Sequence, residues 1–146
     1  VWLWRADHGD GYVTATGDNP CQTGAVITGD DVTMYGLFSE HNLQDQVQWA
    51  GERGAVYFLQ IELPYDATPA FGAAGYAGYR VNATVRSHAA YGVGVYHVFR
   101  DHAVTVRSGI VAPEALEGYF VAPVGVALSG QGQMLHVLNN KGAATS

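Results

Sequence analysis

Apolar and β-branched residues fall in short runs, cut by Gly, Asp, Asn and Pro. No stretch sustains an i, i+3, i+4 apolar repeat, so helices contribute little. Short apolar, β-prone runs predict strands over residues 1–5, 12–16, 25–28, 32–38 and 55–63, the last being the most apolar. Residues 44–49 read as strand or irregular. Further β-prone runs cover 79–86, 91–99, 102–107, 119–121, 124–128 and 134–138. Turn clusters separate them: Asp7-His8-Gly9-Asp10-Gly11, Gly17-Asp18-Asn19-Pro20, Gly29-Asp30-Asp31, Gly51-Glu52-Arg53-Gly54 and Gly130-Gln131-Gly132. Residues 66–78, rich in Gly, Ala and Pro, are predicted as a surface loop.

Turn signals at intervals of about 20 residues favour a solenoid. The fold predicted is all-β, a right-handed parallel β-helix forming a partial solenoid; a β-sandwich is the alternative. Residues 1–142 make one domain, and 143–146 are a fraying tail. Because Val1-Trp2-Leu3-Trp4 starts inside a predicted strand, the chain is expected to be the C-terminal part of a longer parent.

The same spacing yields the candidate chemistry. Asp7 lies 23 and 24 residues before Asp30 and Asp31, which matches one β-helix coil of about 20 to 25 residues. Residues one coil apart stack, so three carboxylates are expected on one patch. Inverting glycoside hydrolysis needs an acid for the leaving oxygen and a base for water, about 6.5 to 9.5 Å apart. Asp7, Asp30 and Asp31 are therefore the candidate catalytic residues. Trp4, Arg5, His8, Tyr35, Glu40, His41 and Trp49 are candidates for substrate binding, with Trp2 a further stacking platform. Glu62, one coil below Glu40, is placed on the same face. Asp10, Asp18 and Asp66 are read as turn residues. His88, His97, His102 and His136 are read as packed or surface side chains.

Composition narrows the partners. The net charge is −6 with only 7 Lys+Arg and no basic cluster, so no nucleic acid is predicted. No run of about 18 apolar residues is present, so no membrane helix is predicted. The single Cys21 excludes an internal disulfide, and no Gly-x-Ser-x-Gly motif is present. His8 and His41 lack metal-ligand spacing, so neither metal nor cofactor is predicted. The predicted partner is a polysaccharide. Low charge and 19 Gly also suit a homo-oligomer or end-to-end assembly through an unpaired coil end.

VWLWRADHG, GDDVTMYGLFSEH, GAVYFLQIELPYD, SHAAYGVGVYHVF and LSGQGQMLHVLNN resemble the C-terminal part of large secreted microbial proteins. These belong to the pectate-lyase superfamily of β-helices, some described by an appended coagulation factor 5/8-type domain. The resemblance implies a parallel β-helix and a secreted, extracellular, carbohydrate-directed role. The Asp7/Asp30/Asp31 layout is also similar to polygalacturonases and to the α-1,3-glucanases of glycoside hydrolase family 87. The polygalacturonase Gly-His-Gly and Arg-x-Lys motifs are missing, so this likeness implies hydrolysis of a neutral glucan such as α-glucan. A non-catalytic polysaccharide-binding module is the alternative.

Overall fold

A computed structural model describes residues 1–9 and 18–146, with the backbone of Tyr12–Val13. Asp10 and the predicted run over 14–16 lie outside the described residues. The strands are β1 (Trp2–Trp4), β2 (His8–Gly9), β3 (Tyr12–Val13), β4 (Ala25–Ile27), β5 (Thr33–Glu40), β6 (Val47–Trp49) and β7 (Gly54–Glu62). They continue as β8 (Tyr79–Val81), β9 (His88–Phe99), β10 (Thr105–Val111), β11 (Phe120–Val121), β12 (Val124–Gly130) and β13 (Gln133–Leu138).

Two large sheets share these strands, and every strand pairing within them is parallel. The first runs β1-β5-β7-β9, with β11 and β12 both pairing β9; the second runs β13-β10-β8-β6-β4. From β4 onward the chain visits the sheets in alternation, with β11 and β12 falling together in the first. A β-sandwich, built from antiparallel sheets, does not describe this arrangement. The one antiparallel strand pair described, β2 with β3, stands apart as a small hairpin.

The offset between neighbouring turns is not constant. Thr33 pairs with Ala55, 22 residues on, but Ala55 pairs with Ala89, 34 residues on. Trp4 pairs with Glu40, 36 residues on. The extra length sits in excursions. The predicted loop over 66–78 contains one of them, and its middle forms a short helix, α1 (Pro69–Ala73). Proline is tolerated in a first helical turn because its missing N–H has no helical acceptor there, and Phe71 anchors the turn in the core.

The core lies between the sheets. Leu37, Leu59 and Val93 stack in register from the first sheet, as do Ser39, Ile61 and Val95. Val47, Trp49, Tyr79, Val81, Val106, Ile110 and Met134 fill it from the second. Alternation is interrupted at the same level in three strands of the first sheet. Gly36, Phe58 and Gly92 have φ of +64°, +61° and +63°. The left-handed residue adds one outward position, so Tyr57 and Phe58 both face out before Leu59 returns to the core. Gly36 and Gly92 adopt this backbone freely, whereas Phe58 does so at a cost of about 1 kcal/mol.

Candidate active site

Beyond the kink, alternation places Trp2, Trp4, Phe38, Glu40, Gln60, Glu62 and Tyr96 on the outer face of the first sheet. Register then makes neighbours of them: Trp4 with Glu40, Glu40 with Glu62, and Glu62 with Tyr96. Adjacent strands are about 4.8 Å apart, so two glutamates stand side by side on this face. Trp2 and Trp4, two residues apart on one strand, stack with centroids 5.3 Å apart. Trp2 Nε1 donates to Glu40 Oε2 at 2.8 Å, and Gln60 Nε2 donates to Glu40 Oε1 at 3.5 Å. Tyr65 Oη donates to Glu62 Oε1 at 2.8 Å.

The strands do not stop cleanly at this edge. The ladder runs on through Arg5 N to Glu40 O, His41 N to Glu62 O, and Leu63 N to Tyr96 O. These bonds fix the first loop residues beside one another. His41 takes φ +66°, and the turn after it is held by buried Gln46. Gln46 Oε1 accepts from Asn42 N at 2.7 Å, and Gln46 Nε2 donates to the carbonyls of Asn42 and Gln44, both at 2.8 Å. The imidazole of His41 is thus placed by backbone and by a polar clamp.

Behind the glutamates lies a buried charged cluster. Asp7 Oδ1 accepts from Nδ1 of both His8 and His41, each at 2.7 Å. Nε2 of His41 faces Glu62 Oε2 at 3.4 Å. Arg5, fully buried, donates from Nη2 to Asp66 Oδ1 at 2.5 Å and lies 3.5 Å from Asp7 Oδ2. Its Nη1 donates to the Asp18 carbonyl at 2.5 Å, and its Nε donates to the His41 carbonyl. The His8 ring stacks on Tyr65 at 5.0 Å and meets Trp4 edge-on at 5.4 Å.

For Asp7, His41 and Glu62, charge partners outweigh burial. Burial pushes Asp7 up, but the hydrogen bond and charge of His41, with His8 and Arg5, hold it below the usual carboxylate range. Burial pushes His41 down, yet Asp7 and Glu62 together raise it above its ordinary 6.5. Glu62 is likewise pushed up by burial and brought below its usual value by His41 and Tyr65. The Tyr65 phenol is raised by burial and by Glu62.

Asp7, His8 and His41 offer metal-ligand atoms within 4.8 Å of one another. Two donors each about 2.1 Å from a metal sit 3 Å or more apart. The 2.7 Å contacts are instead charge-assisted hydrogen bonds. With a guanidinium 3.5 Å from the carboxylate, the group is a hydrogen-bonded cluster of charged side chains.

Of the residues singled out in the sequence, Asp7, Trp4, Arg5, His8, Glu40 and His41 converge here. Asp30 and Asp31 do not. They lie in the turn before β5, at the opposite end of that strand from Glu40 and His41. There Arg53 clamps them, Nε to Asp31 Oδ1 at 2.7 Å and Nη2 to Asp30 Oδ2 at 3.4 Å. The expected three-aspartate patch is corrected by the 36-residue offset between β1 and β5, which carries Asp7 to His41. Tyr35 also lies at the far end, in an outward stack with Tyr57 and Tyr91 at 5.1 and 4.7 Å. Trp49 is a core residue, 1% exposed, packed on His88. Asp66 stands in the turn after β7, as expected, and is also the buried partner of Arg5. Glu62 was legible as the 22-residue partner of Glu40. Tyr65 and Gln60 carry no sequence signal of their own.

Residues 1–62 match the family model of the LAM55 pectate lyase-like domain. An exo-β-1,3-glucanase of Streptomyces sp. SirexAA-E is 38% identical over 152 aligned residues. That alignment takes in 100% of this chain and 25% of the glucanase. The structure of sacteLam55A from the same organism superposes with a TM-score of 0.87 at 38% identity, over 99% of this chain and 27% of that one. A glutamate-to-alanine variant of sacteLam55A in complex with glucose gives the same TM-score at 37% identity. The chain spans about a quarter of the length of these relatives. One is named for β-1,3-glucan and one was solved with glucose, which does not support the α-glucan expected from the aspartate layout.

Proposed function

We propose that this chain is a LAM55-type, glycoside-hydrolase-like unit directed at β-1,3-glucan, built as coils of a right-handed parallel β-helix. One observation carries the reading: Glu40 and Glu62 stand in register on adjacent strands of one outer face. Trp2 and Trp4 border them on one side and Tyr96 on the other. Strands that alternate between two parallel sheets support the coil architecture, and the named relatives support the sugar.

In this reading Glu62 is the acid. It faces a proton donor, His41 Nε2, and protonates the leaving glycosidic oxygen. Glu40, whose two oxygens accept from Trp2 and Gln60, takes the proton of the attacking water. The paired indoles supply apolar faces for the sugar rings. The setting that goes with this activity is extracellular, and the partner is a polysaccharide.

The test is sugar release from laminarin, a β-1,3-glucan, and from α-1,3-glucan. Release is expected from laminarin alone. Glu40→Gln and Glu62→Gln should each lower it by roughly 100-fold or more, while Asp30→Asn/Asp31→Asn should match the parent. A folded chain that releases nothing from laminarin overturns the hydrolase reading. Retention on insoluble β-1,3-glucan without release would favour a binding module carried by the stacked indoles.

A further inference from the structure

His41 is 1% exposed, and each of its ring nitrogens sees a different carboxylate. Nδ1 is 2.7 Å from Asp7 Oδ1; Nε2 is 3.4 Å from Glu62 Oε2 and makes no hydrogen bond among the described residues. A neutral imidazole carrying its proton on Nδ1 leaves Nε2 as a bare acceptor facing an acceptor. An imidazolium gives each carboxylate a proton, while the Trp4 indole N–H, 3.2 Å from Nδ1, is left facing a donor. The ring is held at this spot by packing, 4.3 Å from Tyr65 and 5.2 Å from His8. The charged groups around it come from every neighbouring element. Asp7, His8 and Arg5 follow β1, Glu40 precedes it on β5, and Glu62 ends β7 with Tyr65 just beyond.

We propose that Asp7 and His41 form a proton store for Glu62, with His41 a positioning residue that never touches the sugar. The proposal rests on the reading of Glu62 as the acid. In the resting state the proton sits on His41 Nε2, between two carboxylates. A closure of about half an ångström makes a normal hydrogen bond, and the proton passes from Nε2 to Glu62 Oε2. His41 becomes neutral and keeps its Nδ1–H on Asp7; Glu62 becomes a neutral acid. The net charge of the three groups does not change, so no proton has to enter the site at that moment. Glu62 then gives its proton to the glycosidic oxygen as the C–O bond breaks. Water adds hydroxide to the anomeric carbon and its proton to Glu40. Release of that proton to solvent, and uptake of one by His41, restores the start.

The directions already described agree with this assignment: His41 is raised while both carboxylates are lowered. The alkaline limb of activity therefore follows the imidazole rather than a carboxyl group.

Two measurements test it. Nitrogen and carboxyl-carbon NMR over about pH 3 to 9 follows His41 and Glu62 directly in this chain. His41 should titrate above 6.5. Glu62→Gln and Asp7→Asn should each lower its midpoint by roughly one pH unit, tenfold in proton affinity. A His41 midpoint unmoved by Glu62→Gln overturns the proton store. The second measurement is the pH profile of laminarin hydrolysis in His41→Asn, since asparagine accepts the left-handed backbone at this site. The alkaline limb of kcat/KM should fall into the carboxylate range with KM little changed; an unmoved limb overturns the proposal. Coupled titration without hydrolysis keeps the store and sinks the hydrolase reading. Hydrolysis with an uncoupled His41 does the reverse.

Discussion

Replacing Asp66 by alanine strikes the charge balance on which the whole site rests. Arg5 and Asp66 are 0% and 1% exposed at their side chains and meet at 2.5 Å. Removing the carboxylate leaves a guanidinium in the interior. Among the described residues its remaining partners are two carbonyls and Asp7, the last at 3.5 Å and already shared with two histidines. Breaking a buried pair from one side costs about 3–5 kcal/mol, because the surviving charge is left desolvated. With a urea slope of about 2 kcal/mol per M, the unfolding midpoint should fall by roughly 2 M. Asp66→Asn keeps an acceptor for Arg5 Nη2 and should lose less. The comparison is Asp31→Ala. Its pair with Arg53 is also close, at 2.7 Å, but the two side chains are 67% and 56% exposed. Water screens such pairs, so no resolvable shift of the midpoint is expected. Equal effects of Asp66→Ala and Asp31→Ala, or a loss below about 1 kcal/mol for Asp66→Ala, would refute the reasoning that burial decides the worth of these ion pairs.

The histidines should divide by sign. Burial lowers His88 to about 4 from 6.5, with the Tyr79 hydroxyl donating to its Nε2 at 2.7 Å. The unfolded chain then binds a proton that the fold refuses, so stability is lost as pH falls from 6.5 to about 4, by about 3 kcal/mol. His41 runs the other way: its contribution is whole below 6.5 and is lost as pH rises through its higher folded value. Asp7 and Glu62 contribute above their ordinary values and lose that contribution as pH falls through their lowered ones. Denaturation midpoints against pH should show the acid-side loss reduced in His88→Phe and the alkaline-side loss reduced in His41→Asn. Gly51→Ala would set a Cβ 1.8 Å from the Gly29 carbonyl oxygen, backbone against backbone. It should cost about 1–3 kcal/mol or more by urea unfolding, whereas Gly118→Ala meets nothing within 4 Å and should be silent.

The sequence by itself determined the material of this protein. Short runs of apolar, β-branched and aromatic residues with Gly/Asp punctuation specify strands, because such side chains fit a pleated, partly buried surface. The 22-residue repeat between β5 and β7 could be counted, and it places Glu62 beside Glu40. The apolar run over 55–63 indeed forms a central strand of the larger sheet. What counting could not supply is register elsewhere. Neighbouring strands of a parallel sheet are joined by the ladder and the core, not by the length of the loop between them. Lengthening a loop costs only logarithmically in entropy, so offsets of 22, 34 and 36 residues coexist in one sheet. Hence Asp7, spaced as though to stack on Asp30 and Asp31, stands instead against His41. Trp49 faces the core because Val47 and Trp49 share the inner side of β6. Asp66 and Tyr65 gained their roles only when the end of β7 was laid beside the ends of β1 and β5. Composition selected strands and turns; the hydrogen-bond ladder and the burial of alternate residues decided which charges would meet.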